Sequence, residues 1–355
     1  MLGYQIKHHG GRDALEWGEL RQRPPGPGEV LVRVRACALN HLDLWVRNGV
    51  EGHNFPLPLV PGSEISGLVE KTGNGVTDCR PGDSVLLAPG LACGVCEKCL
   101  AGAEMLCRHF GILGETQDGG YAEFITVPRR NILPHPRGLS FVESAAIPLT
   151  FLTAWHMLVS RASLQRFEDV LIHAAGSGVS SAAIQVARVL GARRIIVTAG
   201  SDAKLEKARS LGATHAINYQ TTDFVEAVRG IVGKKGVEVV VDHVGGETFE
   251  RSLELLTWGG RVVLCGATSG AEATLNLRPI FFKSLSILGS TMGSLGELRH
   301  LLRLFDAEDL RPVVDRTFPL IEAPQAQDYL EQRRQFGKIV LIAGDPDQAL
   351  AVPRP

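Results

Sequence analysis

The stretch from Phe167 to Gly212 narrows the fold more than any other part of the chain. An apolar run, Val170 to Ala175, has the pattern of a parallel strand buried on both faces. A glycine and serine turn follows, Gly176 to Ser181. Helical spacing then runs through Ile184, Val186 and Leu190 and stops at Gly191, a residue suited to the left-handed end of a helix. Ile195 to Val197 reads as a second strand, and Lys204 to Leu211 opens another helix. Strand, glycine turn, helix, strand is half of a mononucleotide-binding unit. Such a turn aims backbone N–H groups and a helix N-terminus at a pyrophosphate. Gly176, Ser177, Gly178, Val179 and Ser180 are therefore the expected phosphate cradle. The match to G-x-G-x-x-G is incomplete, because Ser181 stands where the last glycine would. The position between a buried strand and a helix favours a dinucleotide. The alternative is a tight turn in an α/β protein with another ligand or none. Ser177, Ser180 and Ser181 offer hydroxyls to phosphate oxygens, or serve as ordinary helix caps.

The same alternation continues through Ala216–Asn218, Val237–Asp242, Arg261–Cys265 and Ser286–Gly289, with helical stretches at Glu247–Leu256 and Leu298–Phe305. Five or six parallel strands with covering helices make an α/β, doubly wound sheet. The chain before it differs. Val30–Ala36 alternates with arginines outward, Cys37–Gly49 is a loop entering a short helix, and Ser63–Gly73, Val85–Leu87 and Tyr121–Val127 read as strands. Proline and glycine turns separate them, as in a small β-rich domain or partly open barrel. Lys338–Ile342 is a terminal strand that can lie back on this first domain. A length of 355 residues suits two domains with their own cores. The expected division is 1–135, with a cysteine lobe at 91–110, then 136–310, then a return over 311–355.

Cys93, Cys96, Cys99 and Cys107 follow the spacing C-x2-C-x2-C-x7-C. Four soft thiolates on one short loop make a tetrahedral site, and zinc is the expected metal. An iron–sulfur cluster is the alternative, but the spacing fits neither common ferredoxin pattern. With all positions filled by protein, such an ion activates no water and staples the loop. Cys37, Cys79 and Cys265 read as buried small apolar residues. The odd total of seven cysteines suits a reducing compartment better than a disulfide framework. The net charge of −1 leaves no extended basic field for nucleic acid. No stretch is long and apolar enough to span a bilayer and no signal peptide opens the chain, so the expectation is a soluble cytoplasmic protein without a membrane partner.

These residues carry a family resemblance over nearly the whole chain. The cysteine lobe, PGDSV at Pro81–Val85, DGGYAEF at Asp118–Phe124, AAGSGVSSAAIQVAR at Ala174–Arg188, VVDHVGG at Val240–Gly246 and GKIVL at Gly337–Leu341 occur in the order found in medium-chain dehydrogenases/reductases. That superfamily holds zinc alcohol dehydrogenases and quinone oxidoreductases. The resemblance implies a GroES-like domain made from both chain ends, a Rossmann domain, and NAD(H) or NADP(H). It is strongest to bacterial zinc-binding dehydrogenases.

Departures from the zinc enzymes point to the mechanism. Where those enzymes carry the ligands of a catalytic zinc, this chain has Asn40, Ser63 and Leu149, and only the conditional acidic ligand Glu64 remains. The resemblance thus implies one structural zinc and no catalytic one, with Asn40 matching the zinc-free quinone oxidoreductases. Without a Lewis acid a simple ketone is poorly polarised, whereas an enone or quinone spreads the developing charge onto a conjugated oxygen. Asn40 is a candidate to orient substrate or the cofactor carboxamide. His41 is a candidate proton donor or helix-capping residue. Asp43 is a partner for that neighbourhood or a structural cap, and Trp45 an aromatic wall or core residue. An alcohol dehydrogenase, and a cofactor-binding protein with little turnover, are the alternatives.

An acidic residue at the end of the second Rossmann strand would hold the ribose diol of NAD. That position falls near Ala199, and Asp202 comes late enough to read as a first-turn helix residue. Ala199, Gly200 and Ser201 leave room for a 2′-phosphate, with Lys204 and Tyr219 as its partners, so NADP(H) is expected over NAD(H). The resemblance adds Thr153, Gly266 and Ala267 to the cofactor site, and Ser290–Gly293 to its cleft. It also implies a homodimer or homotetramer acting on a small-molecule substrate, with Ser284–Gly293 as a candidate edge between copies.

Overall fold

The computed structural model describes residues 1–307 and 309–353. They form two compact units: Met1–Leu149 joined by the chain from Ser294 onward, and Thr150–Gly293.

The chain opens with an antiparallel pair, β1 (Leu2–Ile6) and β2 (Leu15–Glu19), in which the rings of Tyr4 and Trp17 lie 5.0 Å apart. β3 (Glu29–Ala38) leads directly into α1 (His41–Asn48), followed by β4 (Glu64–Thr72) and β5 (Ser84–Leu87). The strands β6 (Gly90–Leu91) and β7 (Gly111–Ile112) pair at the base of the cysteine lobe, which contains the short helix α2 (Glu97–Leu100). Next come β8 (Phe124–Pro128), β9 (Ile132–Pro134) and α3 (Phe141–Ala145). The expected strand at Tyr121–Val127 begins only at Phe124. Before it, the Tyr121 carbonyl accepts from Tyr4 N at 2.8 Å and Tyr121 N donates to Pro61 O at 2.9 Å, which ties that backbone elsewhere.

The second unit starts with α4 (Thr150–Trp155) and a π-helical turn at His156–Arg161. Strands and helices then alternate: β10 (Asp169–Ile172), α5 (Gly178–Val189), β11 (Arg194–Ala199), α6 (Asp202–Leu211), β12 (His215–Asn218), α7 (Phe224–Val232), β13 (Val237–Asp242), α8 (Gly246–Leu253), β14 (Leu256–Leu264), α9 (Leu277–Phe282) and β15 (Ser286–Gly289). All six strands are parallel, in the order β12-β11-β10-β13-β14-β15. Val170, Leu171, Ile172, Val239, Val240 and Val241 are fully buried, which is why these strands read as unbroken apolar runs. β10 stops at Ile172, short of the expected Ala175, because Ala174 turns the chain at φ 51°. The strand order reverses between β10 and β13. The turns leaving those strands therefore flank the crevice where doubly wound sheets bind ligands.

The chain then returns to the first unit through α10 (Leu295–Asp306), β16 (Val314–Pro319), α11 (Ala323–Glu331), β17 (Lys338–Ile342) and α12 (Pro346–Leu350). The larger sheet runs β16-β17-β3-β4-β5-β9, with β8 also on β3. β3 makes this possible by its length. Its whole course pairs with β4 on one edge, while Glu29–Arg33 pair with β8 and Ala36–Ala38 with β17 on the other. The units divide at 149/150 and 293/294, where composition suggested 135/136 and 310/311. Packing explains the shift. α3 buries Phe141, Val142 and Ala145 against Ala36, Ala38, Val340 and Ile342. At the other boundary, Asp306 at the end of α10 accepts from Arg137 N at 3.0 Å. No helix among the described residues is long and apolar enough to cross a membrane.

Candidate active site and metal lobe

The cysteine lobe brings its four sulfurs within 4.8 Å of one another. Cys96 stands at the N-cap of α2 and Cys107 closes a 3-10 turn at Glu104–Leu106. Measured Sγ separations are 3.5 Å for Cys96–Cys99, 3.6 Å for Cys93–Cys107 and 3.8 Å for Cys93–Cys99. A tetrahedral ion with metal–sulfur bonds of about 2.3 Å would set its ligands about 3.8 Å apart. The cluster is thus the right size for zinc and too open for a disulfide. Backbone N–H groups of Val95 and Cys96 pull the Cys93 thiol down to about 6. Burial and the neighbouring sulfurs push Cys99 up to about 12. Four thiols this close do not all ionise without a cation among them, and this donor set suits a soft tetrahedral one. His109 N donates to Cys107 Sγ at 3.3 Å, a contact that favours thiolate.

A second polar cluster lies inside the first unit, assembled by sheet register. β17 pairs with β3 so that Val340 faces Ala38, and Ala38 in turn faces Glu64 on β4. Two residues further on in each direction, Lys338 at the start of β17 and Asn40 just past the end of β3 therefore meet beside Glu64. Lys338 Nζ lies 2.7 Å from Glu64 Oε2 and donates to Asn40 Oδ1 at 2.7 Å and to the Leu39 carbonyl. Asn40 Nδ2 donates to Glu64 Oε2 at 3.2 Å and more weakly to Ala38 O at 3.4 Å. Glu64 Oε1 accepts from Leu149 N at 2.7 Å. Both ends of the Asn40 amide are thus taken by protein, and Glu64 is already matched to a cation. The remaining neighbours, Ser63 and Leu149, offer at most one hydroxyl, so this set does not fit a catalytic zinc. The sequence singles out Asn40 and Glu64 but not their pairing, and it marks Lys338 only as the start of a strand.

Asp43 sits at the third position of α1 and is fully buried. Its Oδ2 accepts from Asn40 N at 2.8 Å and from Tyr121 Oη at 3.1 Å. Burial outweighs these contacts and raises the carboxyl from 3.8 to about 6. Its geometry is that of a structural cap that fixes the start of α1, where His41 is half-buried. Trp45, on the same helix, is exposed. Arg47, missed in the sequence, is buried and donates to Gln327 Oε1 at 3.0 Å, tying α1 to α11.

In the second unit the glycine and serine turn joins β10 to α5. Ser177 is the N-cap of α5, its Oγ accepting from Ser180 N at 3.0 Å. Gly178 and Val179 N–H head the helix with no carbonyl a turn back to bond. Ser180 Oγ donates to His173 O at 2.6 Å and Ser181 Oγ to Gly178 O at 2.9 Å, so the protons of those two hydroxyls are already given to carbonyls. His243, unremarked in the sequence, brings Nε2 to 2.9 Å from both Ser177 Oγ and Ser180 Oγ. At the far end of the next strand, Ala199 is buried and a Cβ on Gly200 would come within 2.8 Å of Tyr219 Oη, so the ring covers a glycine-sized gap. Ser201 is the N-cap of α6 without a side-chain cap bond, and Lys204 is half-buried on its first turn. Asp202 Oδ1 accepts from Asn218 Nδ2 at 2.8 Å, consistent with a first-turn helix role. Thr153 is buried in α4, Gly266 and Ala267 lie in the turn after β14, and the Ala267 Cα would stand 3.1 Å from a Cβ on Gly245.

Two family models match: the alcohol dehydrogenase GroES-like domain over residues 26–137, and the zinc-binding dehydrogenase over residues 178–307. A zinc-type alcohol dehydrogenase-like protein of Schizosaccharomyces pombe is 34% identical over 89% of this chain and 91% of its own. A 2-haloacrylate reductase of a Burkholderia species is 33% identical over 95% of this chain and 97% of its own. The crystal structure of an NAD-dependent alcohol dehydrogenase superposes with a TM-score of 0.93 at 48% identity, covering 97% of this chain and all of that one. The parallel sheet with its glycine turn, the β-rich unit closed by both chain ends and the cysteine lobe agree with these likenesses: the chain belongs to the zinc-type, medium-chain alcohol dehydrogenase superfamily and is an NAD(P)-dependent oxidoreductase.

Proposed function

We propose that this enzyme reduces an enone or a quinone with NADPH, using one structural zinc and no catalytic metal. The observation that carries this reading is the committed state of Glu64, paired with Lys338 at 2.7 Å and bonded to Asn40 and Leu149 N. A substrate there must carry its own electron sink, and a conjugated carbonyl does. Bound NADPH would supply the hydride, delivered to the electron-poor carbon. The chain's own residues hold and orient the reactants. Ser177, with the Gly178 and Val179 N–H groups, would hold the pyrophosphate, with Gly176 and Ser180 shaping the turn. Ser201, Lys204 and Tyr219 would hold the 2′-phosphate beside Ala199 and Gly200. Thr153, Gly266 and Ala267 would line the nicotinamide end. His41 would donate the proton that balances the hydride, and Asp43 would hold its helix. Asn40, with its amide already occupied, would act by fixing the junction of β3 and α1.

The test is initial rates with both cofactors. NADPH oxidation by enones or quinones should exceed alcohol oxidation by at least ~10-fold in kcat/KM. The 48% identity to an NAD-dependent alcohol dehydrogenase favours a second reading, alcohol oxidation with NAD. A reversed preference would establish it instead.

We also propose a homodimer, with a homotetramer as its larger form. Among the described residues β15 is the last strand of its sheet, with β14 as its one strand neighbour. Near it Trp258, Phe281 and Phe282 are each about two-thirds exposed, with Phe282 edge-on to Trp258 and tilted against Phe281. Exposed aromatics beside an open edge mark a contact surface. We place the enzyme in the cytoplasm, where the thiols of the metal lobe stay reduced.

A further inference from the structure

We infer that His243 is a positioning residue for the dinucleotide: it fixes the hydroxyl of Ser177 as a donor aimed at the pyrophosphate. The inference rests on the cofactor site proposed above and assigns a part in it to a residue on a different strand.

The argument is a count of protons. Ser180 has one hydroxyl proton, and a carbonyl oxygen can only accept. At 2.6 Å from His173 O, Ser180 Oγ must be donating there. Toward His243 Nε2, 2.9 Å away, the same oxygen can then only accept. Nε2 therefore carries its proton, since otherwise two lone pairs would face each other at hydrogen-bond distance. That N–H also faces Ser177 Oγ at 2.9 Å. Ser177 Oγ already accepts from Ser180 N at 3.0 Å. With both lone pairs of Ser177 engaged, its own proton is what that hydroxyl has left to give. Ser177 is half-buried and caps α5, a helix of 12 residues whose N-terminus attracts an anion.

The neighbourhood holds His243 in this role. It follows Asp242, whose Oδ1 accepts from Val244 N at 2.6 Å and Gly245 N at 3.3 Å, so the turn leaving β13 is tied down. Thr268 N and Oγ1 both donate to the His243 carbonyl, at 3.1 and 3.2 Å. His243 and Ser177 stand on the turns after β13 and β10, adjacent strands at the reversal of sheet order. The imidazole thus bridges the two sides of the crevice. A serine cap alone would let its hydroxyl rotate. The histidine removes that freedom before the cofactor arrives, which lowers the ordering cost of binding.

The test measures the dissociation constants of NADPH and of ADP-ribose, which keeps the pyrophosphate, without any substrate. Ser177→Ala should weaken both by about 10-fold, the range of a hydrogen bond to a charged acceptor. His243→Phe, which keeps ring volume and loses the N–H, should weaken both by a similar factor. In the double variant the loss should be no greater than for Ser177→Ala alone, because the histidine acts through that hydroxyl. His243→Gln, which returns an N–H donor, should recover affinity to within about 3-fold of the original protein. Melting temperatures of all variants accompany the constants, and the glutamine variant keeps the test open if phenylalanine does not fold. If His243→Phe binds as the original protein does, if its loss adds in full to that of Ser177→Ala, or if His243→Gln gives no recovery, the inference is overturned. If the original protein binds neither ligand, the cofactor reading itself fails and this one with it.

Discussion

Lys338 holds a positive charge almost out of water, at 5% exposure, and three oxygens answer it. Taking away one partner of such a pair leaves a buried charge alone. Lys338→Met should therefore destabilise the protein by about 3–5 kcal/mol, and adding Glu64→Gln should recover part of that loss. Urea unfolding measures both; an unchanged midpoint in the single variant contradicts the account. The pair was not legible in the sequence. A lysine ahead of an apolar strand reads as a solvated strand end, and only the register of β17 on β3 and of β3 on β4 turns it inward. Asp43 gives a pH signature. Its carboxyl moves from 3.8 to about 6 in the fold, so the folded state prefers the protonated form. Below about pH 4 both states are protonated and the stabilisation is complete. It is lost as pH rises through about 6, by roughly 3 kcal/mol in all. Stability curves between pH 4 and 7 should show this fall from Asp43, and Asp43→Asn should remove that component. Equal slopes in the two proteins would contradict it.

Elements built on periodicity were the most legible. β15 and β17 begin and end where their apolar runs do, and α5 begins at the glycine turn. Their ends and partners depend on contacts that a pattern does not carry. β10 stops early because Ala174 takes a positive φ, and the Tyr121 segment is diverted to β1 and Pro61. His173 shows the same limit. It reads as the one polar residue inside the apolar run Val170 to Ala175. In the fold it is buried between Thr198 Oγ1 at 3.0 Å and Ser252 Oγ at 2.8 Å, and burial lowers its pKa to about 4, which keeps it neutral. The cysteine lobe was readable because its ligands are local in sequence, while the Asn40–Glu64–Lys338 cluster spans almost the whole chain. The lobe has little apolar core, with Val95, Leu100 and Leu106 all exposed, so the proposed ion would carry much of its order. Cys93→Ser should raise amide exchange across residues 92–110 by at least ~10-fold and leave Thr150–Gly293 unchanged. Unaltered exchange in the lobe would mean that it stands without metal.

At the level of the whole molecule, one unit is closed by both ends of the chain and the other is a continuous insertion. The alternation of strands and helices announced the second unit, and the late GKIVL strand announced the return, but α3 changes sides because of what it buries, and α10 is tied at Asp306 to Arg137 N. Assembly belongs to this scale too. Replacing Phe281 and Phe282 by Asp should convert the proposed dimer to monomer in light scattering, since those rings are exposed and in contact near the edge strand. An unchanged mass would move the interface elsewhere. Hydride transfer with a purely structural ion is the claim on which the chemistry stands. Zinc per chain, measured in enzyme that is turning over an enone or quinone, tests it most directly. The account predicts about one zinc per chain, held by Cys93, Cys96, Cys99 and Cys107. About two per chain, with turnover lost in step with selective removal of the second, would contradict it.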